Sequence, residues 1–222
     1  MANRYRYEAR FSRGRQIKYL SHLDMMRLWE RTLRRAQLPL VYSEGFNPRP
    51  RLSFAAPLPV GVLAQDDVAE FHLADNVPCR EIIARANAQA VAGLELHQVT
   101  PVPQQRSESL QARMREALYE VRVAGHTSQE MQRAVQELLA SESVPMQHRK
   151  RGRLREYNLR PLVLALSLAS GPRMILHMRL RHDSEKTGRP ADVLQALGVD
   201  PAECEITRTA LVLADKQRSP EG

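Results

Sequence analysis
Residues 5–42, YRYEARFSRGRQIKYLSHLDMMRLWERTLRRAQLPLVY, decide the fold class. Tyr5, Tyr7, Ala9 and Phe11 alternate with Arg6, Glu8 and Arg10, and a period of two marks a half-buried strand. Ser21 then offers a helix N-cap, Asp24 stands at the capping-box position and Leu20 is placed for a staple. From there Met25, Met26, Trp29, Leu33 and Ala36 fall within an arc of about 100°, the width of a core-facing stripe. Residues 38–42 read as a short strand after that helix. A strand, a helix and a strand in close succession point to an α+β chain.

Working outward, residues 51–55 form a strand after the Asn47-Pro48 turn, and residues 68–73 another. Pro78 opens a helix that ends before Gly93, and residues 94–99 complete the half. Pro101, Pro103 and polar neighbours mark residues 101–114 as a linker. The second half repeats the order. It has a strand at 117–123, a helix capped by Ser128 and running to about Ala140, and a strand at 144–148. A hairpin follows at 164–168 and 174–180 around Gly171-Pro172. Pro190 sits at the first position of a helix that Gly198 ends, and residues 206–213 are the last strand. Each half is written β-α-β-β-α-β, the ferredoxin-like order. The expectation is two tandem ferredoxin-like domains, residues 1–100 and 115–222, antiparallel sheets with helices on one face and an insertion near 154–170. One continuous α+β sheet is the alternative.

The charge is not spread evenly. The chain of 222 residues carries a net +8, and residues 1–60 hold twelve Lys+Arg against four Asp+Glu, so the whole excess lies there. Eleven of those twelve bases are Arg, whose planar fork suits phosphate and carboxylate better than the Lys ammonium does. A local field of this kind attracts polyanions and speeds their association.

Two elements carry that field. On the first helix Arg27, Arg31, Arg34 and Arg35 share a second arc, away from the apolar stripe, and Asp24 and Glu30 stand where each can neutralise one of them. The ridge therefore keeps about two net charges and is a phosphate-contact candidate. Gly45-Phe46-Asn47-Pro48-Arg49-Pro50-Arg51 is the second. Its Gly, Asn and Pro build turns, but no turn needs Phe46. An exposed aromatic beside arginines suits stacking on an unpaired base, with Asn47, Arg49 and Arg51 at hand. The competing expectation is a Phe46 folded back into the core. A further basic patch is Arg149, Lys150, Arg151, Arg153 and Arg155.

Enzyme signatures are few. No glycine-rich phosphate loop or dinucleotide fingerprint occurs. Ser21, His22 and Asp24 spell a triad, but neighbours on a helix point about 100° apart and share no hydrogen-bond line. His22 reads first as a helix-start residue bonding the local backbone, and it is the best single candidate for acid–base work, since surrounding arginines could tune it. The seven histidines show no paired metal spacing, so no metal site is expected. Cys79 and Cys204 lie far apart and read as two reduced thiols, too few for a four-iron cluster. No cofactor is expected in the chain. No apolar run of eighteen residues and no apolar signal segment occur, which points to a cytoplasmic protein without a membrane helix.

Tyr19-Leu20-Ser21-His22-Leu23-Asp24, Ser43-Glu44-Gly45-Phe46-Asn47-Pro48 and Pro57-Leu58-Pro59-Val60-Gly61 together resemble the radical-SAM-linked proteins. This bacterial family of unknown function is found beside, or fused to, B12-binding radical SAM enzymes. Asn158-Leu159-Arg160-Pro161, Arg189-Pro190-Ala191-Asp192-Val193-Leu194 and Ile206-Thr207-Arg208-Thr209 add to the likeness. The resemblance implies an accessory subunit partnered by a radical SAM enzyme, and gene neighbours of some members imply RNA or translation. Some relatives carry a second His where this chain has Arg49, which argues against a metal site in the loop. The double ferredoxin-like layout also resembles CRISPR repeat-processing endoribonucleases, a likeness of fold only. The expected function is a non-catalytic partner of a radical SAM enzyme that binds RNA or presents a translation-related substrate. A metal-independent endoribonuclease using His22 and a pure protein–protein adapter are the competitors.

Overall fold
A computed structural model describes residues 5–103, 105–150, 153–169 and 173–214. The chain is α+β and divides into two compact units, Met1–Arg113 and Met114–Gly222.

In the first unit β1 (Tyr5–Arg13) lies between two antiparallel partners, β3 (Leu63–Leu73) and β4 (Leu94–Pro101), with α1 (His22–Arg35), β2 (Leu52–Phe54) and α2 (Cys79–Gln89) completing the order. Tyr7 faces Phe71, Ala9 faces Val99, and β2 pairs with β3 with Leu52 opposite Phe71, giving the strand order β4-β1-β3-β2. The alternation in β1 is real: Tyr7, Ala9, Phe11 and Arg13 are buried while Glu8, Arg10 and Ser12 are half-exposed. The stripe of α1 packs onto that face. Trp29 is fully buried, edge-on to Phe11 at 4.8 Å and to Phe54 at 5.8 Å. Aromatic pairs of this geometry contribute about 0.5–1.5 kcal/mol beyond their burial.

Arg13 is the polar member of the inward row, 2% exposed. Its guanidinium donates to the carbonyls of Ile17 (3.3 Å), Lys18 (2.5 Å) and Leu20 (2.6 Å). Those carbonyls belong to the 3₁₀ turn at Arg15–Ile17 and the chain after it, so a buried charge fixes how α1 begins. At the other end Arg85 of α2 donates to the carbonyls of Ala36 and Gln37, satisfying groups the helix leaves without intrahelical partners.

The strand expected at 38–42 does not form. Gln37 turns to φ 53°, Pro39 has no N–H to give a ladder, and only isolated bridges survive, Leu40 with Leu73 and Tyr42 with Pro50. β2 is shorter than its expected 51–55, and β3 begins at Leu63 rather than 68. The segment expected to link the halves folds onto the first unit. Val102 donates its N–H to the Arg6 carbonyl, Leu110 is fully buried, and Arg106 and Arg113 both pair with Glu8.

The second unit holds β5 (Met114–Val123), α3 (Ser128–Ala140), β6 (Pro145–Lys150), β7 (Arg153–Asn158), β8 (Val163–Ala169), β9 (Met174–Arg181), α4 (Pro190–Ala196) and β10 (Glu205–Leu213). Its main strands run β10-β5-β9-β8, and β6 and β7 pair only with each other. The hairpin, residues 145–158, stands between α3 and β8 and interrupts the β-α-β-β-α-β order. The cap of α3 is Thr127, one residue before the expected Ser128, in a reciprocal capping box with Glu130. No helix among the described residues is long and apolar enough to cross a membrane.

Candidate functional site
The site is built on the start of α1. Ser21 Oγ accepts from the Asp24 N–H at 3.2 Å and donates to Asp24 Oδ2 at 2.6 Å. That hydroxyl, with the nearby Arg27 guanidinium, holds the Asp24 carboxyl below its usual range. Asp24 pairs with Arg27 at 3.3 Å, and Glu30 stands 3.7 Å from Arg34. Both pairs lie at the surface, where solvent screening leaves them worth little to stability. Their effect is on the ridge: Arg31 and Arg35 remain exposed, with no acidic partner within 4 Å among the described residues.

Opposite α1 lies the loop from Ser43 to Pro50. The Ser43 N–H donates to the Arg49 carbonyl (2.8 Å), and the Arg49 N–H donates to Ser43 Oγ (3.0 Å). With the Arg51 N–H on the Val41 carbonyl, these bonds close the loop at its base. Gly45 sits at φ +120°, a backbone that side-chain-bearing residues rarely adopt. Phe46, at the tip, is fully exposed, so it does not plug the core. The aromatic ring packed in the core near this loop is Phe54, which touches Phe11, Trp29 and His22.

Helix and loop enclose an open groove of about 580 Å³. His22, Leu23, Met26, Arg27 and Glu30 form its helix wall, and Asn47, Pro48, Arg49, Pro50 and Leu52 form the other. A groove of this size falls in the range of small-ligand sites, about 300–1,000 Å³. Arg27, Asn47 and Arg49 are thus brought together. Arg51 borders a different cavity of about 250 Å³, beside Arg6 and His72, so it is not brought to the groove with Arg49. Arg31, Arg34 and Arg35 lie along the helix beyond the groove's lining.

His22 is exposed, lies edge-on to Phe54 at 5.7 Å, and also borders a cavity of about 20 Å³ lined by the buried Arg13 and Asp67. Its ring makes no hydrogen bond to the described residues, so no group orients it as the base of a catalytic pair. No cluster of three metal-ligating side chains occurs among the described residues, and Cys79 and Cys204 are unbridged and half-buried. Burial and the neighbouring Asp200 and Glu203 push the Cys204 thiol up, away from a reactive thiolate. Of the basic segment, Arg151 lies outside the described residues. Arg149, Lys150, Arg153 and Arg155 are described only as backbone of β6 and β7.

Three segments noted in the sequence converge here. The Gly61 N–H donates to the Lys18 carbonyl at 2.8 Å, setting residues 57–61 beside 19–24, while the groove joins 22–30 to 47–52. Tyr19, Leu23 and Val60 are left exposed around the meeting point, and Lys18 Nζ lies 4.9 Å from the centre of the Tyr19 ring. Leu23 and Leu52 were not singled out in the sequence, while Met26 was expected in the core stripe and Glu30 as a partner for a ridge arginine, neither as groove lining. Met26 is half-buried against the core, and the exposed Leu23, on a helix that already has its core face, was the available signal.

No curated protein sequence matches the chain. Among solved structures, a chain of a Cbf5-Nop10-Gar1 complex is similar at 12% identity and a TM-score of 0.45, over 95% of this chain and 50% of that one. The chain thus spans half the length of that relative. A structure of an unknown protein from Galdieria sulphuraria is similar at 12% identity and a TM-score of 0.28, over 96% of this chain and 100% of that one. Residues 6–190 match the family described as an uncharacterized protein conserved in bacteria (DUF2344), and the chain belongs to that family.

Proposed function
We propose that this protein is a cytoplasmic, non-catalytic accessory subunit of a B12-binding radical SAM enzyme, and that it binds single-stranded RNA on the surface shared by α1 and the 43–50 loop. The observation that carries the RNA reading is Phe46, fully exposed in the loop whose next residues, Asn47 to Pro50, wall a groove together with Arg27. A protein gains nothing in stability from a large apolar ring held in water, whereas a base stacked on it is worth about 1–3 kcal/mol. Arg31 and Arg35 extend the same face as phosphate contacts that carry no sequence information. The link to a radical SAM enzyme rests on the motif resemblance at residues 19–24, 43–48 and 57–61. Tandem ferredoxin-like units are likewise our reading, supported by the strand orders β4-β1-β3-β2 and β10-β5-β9-β8.

His22 on the groove wall favours a second reading, RNA cleavage by a metal-independent endoribonuclease. The exposed Tyr19, Leu23 and Val60 favour a third, a protein–protein adapter whose apolar patch and arginines meet an acidic partner. A pull-down from the native host, with bound RNA sequenced and bound protein identified, separates them. RNA recovered together with a radical SAM enzyme supports the proposal. That enzyme without RNA supports the adapter. Labelled RNA shortened by the protein, and left intact by His22→Ala, supports the endoribonuclease.

A further inference from the structure
The groove contains one carboxylate, and in a surface built to attract phosphate a carboxylate is a cost unless it reads something. Glu30 lines the groove beside Arg27, and its nearest cation, Arg34, stands 3.7 Å away, beyond hydrogen-bond distance. The carboxylate accepts no hydrogen bond from the described residues, and its side chain is 33% exposed. On the facing wall the Asn47 side-chain amide is exposed and equally unengaged. Between them the lining is apolar: Leu23, Met26, Pro48 and Leu52. An apolar slot, two guanidinium groups, and a carboxylate and an amide whose hydrogen-bonding atoms have no partner among the described residues are the parts of a nucleotide site, with ring, phosphate and base edge each provided for.

We infer that the groove seats a guanine of single-stranded RNA, with Glu30 as the residue that selects it. This rests on the RNA-binding reading above. An ionised carboxylate only accepts hydrogen bonds, through two oxygens side by side. Among the neutral bases only guanine presents two adjacent donors on its pairing edge, N1–H and the 2-amino group. Uracil offers one N–H between two carbonyls, while cytosine and adenine place an acceptor beside their amino group and meet one carboxylate oxygen with a lone pair. Asn47 supplies the amide N–H that guanine O6 needs. Arg27 and Arg49 lie on opposite walls, where the phosphates flanking the seated base would pass. In a duplex the pairing edge is occupied, so the site also rejects double-stranded RNA.

The test uses the full chain and fluorescence-labelled uridine oligomers carrying one central G, A, C or U, with affinity read by anisotropy at low salt. The G oligomer is expected to bind roughly tenfold tighter than the other three, the discrimination of a bidentate base contact. Glu30→Gln keeps the shape and swaps one acceptor for a donor, so it should erase the preference and leave affinity for the all-U oligomer equal or higher. Its melting temperature should change little, since the part-exposed Glu30 side chain accepts no hydrogen bond among the described residues and its pair with Arg34 lies at the surface. Equal affinity of the unaltered protein for all four oligomers overturns the guanine assignment while leaving RNA binding in place. So does a G preference that survives Glu30→Gln. No binding to any oligomer at low salt removes the RNA reading itself.

Discussion

Phe46→Ala separates recognition from scaffold, because the structure offers a matched control in Phe54. Phe46 is fully exposed and touches no other ring among the described residues, so truncating it removes no buried contact there. Surface substitutions of that kind move stability by no more than about 0.5 kcal/mol. Phe54 is 8% exposed, with ring centres 5.7 Å from Phe11 and His22 and 5.8 Å from Trp29. Deleting a ring so placed costs about 3–5 kcal/mol. In binding the order reverses. Loss of one base stack costs about 1–3 kcal/mol, which is about 5- to 150-fold in the dissociation constant for single-stranded RNA. Thermal melting and anisotropy on the same preparations read both quantities. Phe46→Ala should melt like the parent and bind weakly, and Phe54→Ala should melt early. A Phe46→Ala protein with unchanged affinity, or one that melts as early as Phe54→Ala, refutes the reasoning.

Other consequences are as direct. Arg31→Gln with Arg35→Gln should lower the magnitude of the salt slope of RNA binding by about 1.4, since each phosphate contact on a single strand contributes about 0.7. Arg27→Gln with Arg34→Gln should lower it less, because Asp24 and Glu30 already neutralise those two; equal effects would contradict the pairing. Burial pushes the Glu70 carboxyl up, but His72 and Arg6 outweigh it and hold the group below its usual range. Its contribution to stability is therefore complete above the ordinary glutamate value of about 4.3 and is lost as the pH falls through the depressed one. The melting difference between the parent and Glu70→Gln should shrink below about pH 4.3; a difference that stays constant from pH 7 to 3 contradicts this. Anaerobic treatment with iron and sulfide should leave no cluster absorbance, because Cys79 and Cys204 are fewer than the ligands a cluster takes. Iron retained stoichiometrically by the monomer overturns that.

Helix α1 was legible because what forms it is local, although its buried face also takes in Leu28 and Thr32. Ser21 is within three residues of the N–H it caps, and Met25, Trp29 and Leu33 repeat at the helical period. β1 was legible for the same reason, its period of two running unbroken from Tyr5 to Phe11. The failure at residues 38–42 has a backbone cause. Apolar residues with strand propensity follow the helix, but Gln37 in the left-handed region and Pro39 leave single bridges where a ladder was expected. The polarity of residues 101–113 misled in a different way, since Glu8 lies about a hundred residues away and pairs with both Arg106 and Arg113. The groove lay beyond reading from sequence. Arg27, Asn47 and Arg49 were recognisable one by one, but Leu23, Met26 and Glu30 acquire meaning only when the loop closes against the helix.

The most direct test of the account is the affinity of the purified chain for a single-stranded RNA oligomer as a function of salt. Arg31, Arg35 and Arg49 are exposed on this surface and lack acidic partners among the described residues. If each neutralises one phosphate, the logarithm of the association constant should fall with the logarithm of salt concentration at a slope near −2.1. A slope between about −1.5 and −3 agrees with these three guanidinium groups. A flat response, or no binding at low salt, contradicts the claim that this surface meets RNA.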